Sequence, residues 1–126
     1  HAVPNERASK QEKDSVKLED IGVFFRSDRA SHGAVYRLEP PPSSDDSLKL
    51  LQKGLEIYQR HPLFDGDFND LDSNAFYCTE LVWFIYRKEL GIDLSQGRRH
   101  KKALFPPMIF CSDILTHPEL KETYKF

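Results

Sequence analysis

The clearest apolar pattern along the chain lies in residues 72–91, DSNAFYCTELVWFIYRKELG. Strong helix formers follow one another there, and one face at helical spacing carries Cys78, Leu81, Val82 and Ile85. Gly91 is suited to end the helix in a left-handed conformation. The stretch therefore predicts a helix that is apolar on nearly every side and carries Cys78 in its first turn.

A second helix is predicted before it, capped at its start by Ser43 or Ser44 and limited at its end by Pro62. Asp45 and Asp46 suit the positive end of its dipole. Its apolar face is predicted to consist of four residues at helical spacing: Leu48, Leu51, Leu55 and Tyr58.

The remaining segments are shorter. Residues 34–38 read as a strand that three prolines end, and residues 104–110, LFPPMIF, read as extended because two prolines exclude a helix. Residues 15–27 combine a strand signal with a helical turn. Residues 5–14 and 95–103 are polar and predict surface loops.

The C-terminal segment, residues 111–126, predicts one or two short helical turns, the second of which would start at Pro118.

Composition and charge exclude several classes of protein. The 126 residues suffice for one domain, 39% are hydrophobic, 30% are charged, and the net charge is −2. No global charge points to a nucleic acid or an anionic membrane, and no apolar run approaches the roughly 18 residues of a membrane span. Two cysteines make no disulfide framework and leave the redox compartment open.

Two charged loops resemble binding sites but lack residues that such sites need. Asp65, Asp67 and Asn69 imitate ligand positions of a calcium loop, but Asp70 stands where a glycine is needed and Phe76 where a glutamate is needed. No Cys or His spacing suits zinc. The basic run GRRHKK lacks the aromatic platform of a nucleic-acid site. We therefore expect no metal, no cofactor and no nucleic acid.

The role of Cys78 has two interpretations. A free cysteine on an apolar helix is often a small buried hydrophobe. In the first turn of a helix, however, the dipole and the free N–H groups favour the thiolate, which attacks carbonyl groups, and they can also stabilise an oxyanion. A nucleophile of this kind needs an imidazole within hydrogen-bond reach.

The chain offers five histidines for that role. Three are expected to face solvent or flank turns: His61, His100 and His117. His32 stands just before a strand and could point at a site, while His1 begins the segment HAVP and is hard to judge from the residues alone.

At FYCTELVWFIYRKELGIDL the chain resembles the circularly permuted papain-like cysteine amidases, the YiiX-like group, which are similar to lecithin retinol acyltransferase-type proteins. The pattern is an aromatic residue, then Cys-Ser/Thr-Glu-Leu-Val, then a helix ending near Gly-Ile-Asp-Leu. Residues 34–126 match clearly and residues 1–33 loosely. The resemblance implies a cysteine-bearing helix packed on a small antiparallel sheet, with Cys78 as nucleophile and Tyr77 and Glu80 shaping the site.

The resemblance also bears on the imidazole. HAVP looks like the family's second strand, which makes His1 the orienting residue and places the base histidine before residue 1. In the rival reading His32, in SHGAVY, is the base and the chain is complete. Its separation from Cys78 is short for that role.

These observations lead to one α+β domain over residues 1–126, permuted papain-like and incomplete at its N-terminus. The expected function is hydrolysis or acyl transfer at an amide or ester of a small molecule, lipid or peptide, through a thioacyl intermediate on Cys78. The alternative is an inactive binding module on the same fold. The resemblance is compatible with a cell-envelope or periplasmic location, and it leaves the oligomeric state open.

Overall fold

The computed structural model describes residues 1–3, 15–68, 74–102 and 105–126, so the loop expected over residues 5–14 lies outside the described residues. The helices are α1 (Ile21–Phe24), α2 (Ser44–Gln59), α3 (Cys78–Leu90) and α4 (Cys111–Leu115). The strands are β1 (Ala2–Val3), β2 (Ser15–Val16), β3 (Ala34–Leu38), β4 (Leu63–Phe64), β5 (Ala75–Phe76), β6 (His100–Lys102), β7 (Phe105–Met108) and β8 (Leu120–Lys125). The predicted α+β class is confirmed.

The described strands form three small sheets. The first has the order β1-β2-β4-β5, in which β1 and β4 run antiparallel to β2, and β5 runs parallel to β4. The second pairs β3 with β8, and the third pairs β6 with β7, both antiparallel. Short strands of this kind depend on side-chain packing for their stability.

The core consists of two buried clusters that α3 connects. One cluster contains Ala2, Val16, Ile57, Phe76 and Leu81. The other contains Leu38, Trp83, Leu94, Ile109 and Ile114. Helix α3 contributes Leu81 to the first and Trp83 to the second, because residues two apart lie on different sides of a helix. The cysteine-bearing helix therefore packs on the small sheet of β1, β2, β4 and β5, which is mixed and not purely antiparallel as predicted, because β5 runs parallel to β4.

Helix α2 presents a different face to the core from the one predicted. Three of the four expected core residues are exposed: Leu48, Leu51 and Leu55. Ile57 is fully buried, and Gly54 faces α3 so closely that a Cβ there would lie 3.9 Å from Ile85. Tyr58 is partly buried against the first cluster. Leu48, Leu51 and Leu55 lie on one side of α2 and Ile57 on another, and the position of α3 decides which side is covered.

The C-terminal segment differs from the prediction in its second half. Helix α4 is the expected short turn, but the segment from Leu120 forms a strand, and Leu120 pairs with Leu38 of β3. Backbone groups of β3 supply the hydrogen bonds that make this polar sequence extended. For the same reason, part of the polar loop expected over residues 95–103 pairs with β7 as strand β6.

Other local predictions are confirmed. Ser43 caps α2, since its Oγ accepts a hydrogen bond from Asp46 N at 3.1 Å. Gly91 ends α3 with a φ of 69°, in the left-handed region where a Cβ is disfavoured. Residues 15–27 contain both the short strand and the helical turn, and Asp20 caps the latter.

Across the described ranges, no helix combines the length and the apolar character that crossing a membrane requires.

Candidate functional site

Cys78 is the first residue of α3, and its thiol is free and exposed. The preceding residue, Tyr77, is extended at φ −97° and ψ 167°, and its carbonyl oxygen accepts the first helical hydrogen bond from Leu81 N at 3.0 Å. The N–H groups of the first turn of such a helix have no partner within the helix. The thiol therefore lies at the positive end of a helix of 13 residues and within reach of solvent.

A buried carboxylate fixes this helix start. The Glu80 side chain is 2% exposed, and its Oε2 accepts a hydrogen bond from Tyr77 N at 3.2 Å. A tyrosine at the N-cap has no side-chain acceptor suited to the first-turn N–H groups, so the acidic residue three positions later supplies half of a capping box. The backbone on both sides of Cys78 is held by this contact.

The two neighbours of Cys78 also bind the chain that leads into α4. The hydroxyl of Thr79 donates to the carbonyl oxygen of Ile109 at 2.6 Å, and Ile109 N donates to the hydroxyl of Tyr77 at 2.9 Å. Ile109 is fully buried, and Tyr77 and Thr79 are buried as well. These two hydrogen bonds tie the segment before α4 to the residues that flank the thiol.

Tyr77 and Glu80 thus have a positioning role, because both side chains are buried in contacts that shape the helix start. Their direct contact with a substrate stays a prediction. Thr79 was not singled out by sequence reasoning beyond its place in the Cys-Thr-Glu motif, since the carbonyl that it binds lies 30 residues away.

His1 lies beside β2 and packs against α1. Its backbone exchanges hydrogen bonds with Lys17, and its ring meets the ring of Phe24 at a centroid distance of 5.2 Å. Its Nε2 lies 3.8 Å from Oε2 of Glu19, whose other oxygen accepts from Arg29 at 2.7 Å. Both ring nitrogens are buried without a hydrogen bond among the described residues.

The segment that contains His1 approaches α3 through strand β1. The neighbouring Ala2 packs with Leu81, one turn into α3. No imidazole is hydrogen-bonded to the Cys78 thiol within the described part of the chain, so the pairing of Cys78 with His1 stays a prediction.

His32 lies in another part of the fold. It is exposed before β3, and its Nδ1 is 2.9 Å from the hydroxyl of Ser31. The next residue, Gly33, exchanges backbone hydrogen bonds with Phe126 in the β3–β8 sheet. None of the hydrogen bonds, ion pairs or ring contacts found among the described residues joins His32 to the start of α3.

His100, which was expected to lie in a solvated loop, is hydrogen-bonded to a carboxylate. Its Nε2 lies 2.7 Å from Oδ1 of Asp113, and its ring is tilted against that of Phe110 at a centroid distance of 4.7 Å. Asp113 is buried, and its Oδ2 accepts from Phe110 N at 2.8 Å. The acidic residue three positions after Phe110 was visible as a capping signal, but nothing in the sequence pairs it with His100.

Cys111 begins α4 as Cys78 begins α3, and its thiol is also free and exposed. Packing nevertheless desolvates the sulfur in part. This burial raises the pKa of the Cys111 thiol above its usual value, and the nearby Cys78 raises it further. The two thiols are therefore close enough to influence each other.

The acidic loop is only partly described. Asp65 is buried, and its Oδ1 accepts from Asp67 N at 2.9 Å, so this oxygen already has a partner. Asn69 and Asp70 lie outside the described residues, and the absence of calcium binding stays a prediction. Among the residues that are described, no group of three or more His, Cys, Asp or Glu side chains could hold a metal ion.

No protein-family model and no curated protein matches the chain. Among solved structures it is similar to the crystal structure of metalloprotein yiiX from Escherichia coli O157:H7, at 19% identity and a TM-score of 0.59. The match covers 74% of this chain and 61% of that one, so it spans about three fifths of the yiiX chain. The chain therefore has a YiiX-like fold.

Proposed function

We propose that this chain carries the nucleophile of a cysteine hydrolase or acyltransferase of the circularly permuted papain-like kind. In this reaction the Cys78 thiolate attacks an amide or ester carbonyl and expels the amine or alcohol, leaving a thioacyl group on sulfur. Water or a second acceptor then releases the acyl group and regenerates the thiolate. The substrate is a small molecule, lipid or peptide with such a bond.

The supporting observation is the position of Cys78. Its free, exposed thiol is the first residue of α3, and the buried side chains of Tyr77, Thr79 and Glu80 fix the backbone around it. A helix start of this kind offers free N–H groups to the oxyanion that forms during attack. An inert core cysteine would be expected inside one of the two apolar clusters instead.

His1 is the imidazole we assign to this site, on the resemblance of HAVP to the family's second strand. Glu19 supports the assignment, because its carboxylate lies 3.8 Å from the His1 ring and is held by Arg29. A carboxylate at that distance limits the movement of the imidazole ring. Glu19 would then be a positioning residue for His1.

The second candidate is a binding module on the same fold. The observation that favours it is the lack, among the described residues, of an imidazole hydrogen-bonded to the Cys78 thiol. A thiol without its base can be acylated by a reactive ester but does not turn over efficiently.

The test is acylation by an activated ester, p-nitrophenyl acetate, read as the intact mass of the chain. We expect one acetyl group on Cys78, lost in Cys78→Ala and retained in the matched variant Cys111→Ala. His1→Ala should slow acylation because His1 is the orienting residue of the site, whereas His32→Ala should have no effect. Acylation of Cys111 in preference to Cys78 would contradict the assignment.

Steady-state release of nitrophenol separates the two candidates. An enzyme continues to release it after the first equivalent, while a binding module stops once Cys78 is acylated. A chain that acylates Cys78 once and then stops is the result expected of the module.

A further inference from the structure

The two cysteines of the chain occupy matching positions. Each is the first residue of a helix, each follows an aromatic N-cap, and the acidic residue two positions later accepts a hydrogen bond from that N-cap N–H. Both acidic side chains are buried, so both helix starts are fixed with their thiols exposed.

The two helix starts are also joined to each other. Thr79 and Tyr77, on either side of Cys78, hold the carbonyl and the N–H of Ile109 at 2.6 Å and 2.9 Å. Cys111 follows Ile109 by two residues, which span at most about 7 Å even when fully extended. The start of α4 is thereby kept beside the start of α3.

The thiols differ in their environment. Burial, and to a lesser degree Cys78, raises the pKa of the Cys111 thiol, so Cys111 keeps its proton more strongly than an ordinary cysteine does. The hydrogen bonds through Ile109 keep the backbone before Cys111 beside the residues that flank Cys78. Two exposed thiols on adjacent helix starts are an arrangement in which one cysteine can react first and the other can resolve the product.

We propose that Cys78 and Cys111 form a peroxide-sensitive thiol pair that closes to an intramolecular disulfide. The oxidant is a peroxide. The Cys78 thiolate attacks one peroxide oxygen, an S–O bond forms, the O–O bond breaks, and the other oxygen leaves as water after taking up a proton. Cys78 is then a sulfenic acid, oxidised by two electrons.

Cys111 completes the reaction. Its sulfur gives up its proton and attacks the Cys78 sulfur, an S–S bond forms, the S–O bond breaks, and the oxygen leaves as water. In sum, two thiols and one hydrogen peroxide give one disulfide and two waters. The disulfide blocks the Cys78 nucleophile and protects it from irreversible oxidation. This consequence rests on the proposed function, whereas formation of the disulfide does not depend on it.

The experiment treats the reduced chain with hydrogen peroxide, blocks the remaining thiols with iodoacetamide, and reads intact and peptide masses. We expect a monomer that has lost two hydrogens, takes up no blocking group, contains the Cys78 and Cys111 peptides linked together, and is restored by dithiothreitol. In Cys111→Ser, Cys78 should be trapped as a sulfenic acid when dimedone is present, and it should gain two oxygens when dimedone is absent and hydrogen peroxide is in excess. Wild-type chain that gains two oxygens on Cys78 while Cys111 remains free to be blocked would overturn the proposal, as would a linkage found only between chains.

A second measurement tests the link through Ile109. Thr79→Val removes one of the two hydrogen bonds to Ile109, so closure of the disulfide should slow by about tenfold relative to formation of the Cys78 sulfenic acid, which dimedone trapping measures in the same variant. The matched control is Thr123→Val. The exposed hydroxyl of Thr123 donates to the carbonyl oxygen of Val35 at 3.1 Å, in the sheet of β3 and β8. Equal closure rates in the two variants would show that Ile109 does not hold the thiols together.

Failure of this proposal and failure of the proposed function are distinguishable, because the disulfide is detected without any substrate. A chain that closes the disulfide but is never acylated by p-nitrophenyl acetate contradicts only the proposed function. A chain that is acylated on Cys78 but does not close the disulfide contradicts only the thiol pair.

Discussion

The hydroxyl of Tyr77 offers a direct test of how the site is held together. It accepts the N–H of Ile109 at 2.9 Å, and Ile109 is fully buried. Tyr77→Phe removes this acceptor and leaves the aromatic ring in place. The change therefore removes this buried hydrogen bond beside Cys78.

The expected cost follows from what remains behind. A typical intramolecular hydrogen bond contributes about 1 kcal/mol net, but a buried N–H left without a partner costs about 1–3 kcal/mol. No water replaces the hydroxyl easily, because Tyr77 itself is 4% exposed. We expect Tyr77→Phe to lower the free energy of unfolding by about 1–3 kcal/mol, and Tm by roughly 4 °C for each kcal/mol in a chain of this size.

Urea unfolding followed by tryptophan fluorescence measures this change, since Trp83 is the single tryptophan and is buried. The matched control is Tyr36→Phe. The Tyr36 hydroxyl donates to Glu122 at 2.9 Å in an exposed position, so its loss should change stability by no more than about 0.5 kcal/mol. Equal stabilities of the two variants would refute the reasoning and show that the N–H of Ile109 finds another acceptor.

Three further predictions concern Thr79, Asp93 and the two cysteines. Thr79→Val should lower the free energy of unfolding by about 1–2 kcal/mol, because a buried carbonyl loses its donor, whereas Thr123→Val should be neutral in the same urea titration. Asp93 accepts hydrogen bonds from the indole N–H of Trp83, from the hydroxyl and N–H of Ser95, and from Gly97 N. Burial opposes ionisation of Asp93, but these hydrogen bonds hold its pKa below the usual value, so Asp93→Asn should cost about 1–3 kcal/mol at neutral pH. That stability is fully present above about pH 4 and is lost as the pH falls through the lower folded pKa, which pH-dependent urea unfolding measures. Cys111 should be alkylated more slowly than Cys78 near neutral pH, and Cys78→Ser should move the Cys111 alkylation profile to lower pH because one of the causes of its raised pKa is removed.

Each of these has a result that would contradict it. Equal losses of stability in Thr79→Val and Thr123→Val would mean that the buried hydrogen bond to the carbonyl of Ile109 stabilises the fold no more than the exposed one to Val35. An Asp93→Asn variant that differs from the wild type equally at pH 2 and pH 7 would show that the charge of Asp93 is not involved. An unchanged Cys111 profile in Cys78→Ser would place the two thiols too far apart to interact.

Local sequence signals determined the helices, caps and strands that depend only on residues within the same segment. The run from Cys78 to Gly91 contains strong helix formers and a terminator that tolerates a positive φ, so the helix and its first residue follow from the sequence. Ser43 as a cap and the strand before the prolines are local in the same sense.

Only the tertiary structure decided what depends on distant partners. The covered stripe of α2 is set by where α3 lies, and strand β8 forms because β3 is there to pair with it. The contact between His100 and Asp113 and the bonds of Ile109 likewise join residues far apart in the chain. Hydrophobic periodicity and propensity describe how a segment can fold, whereas the choice among its faces and partners is made by packing, which lowers the free energy only when both partners are in place.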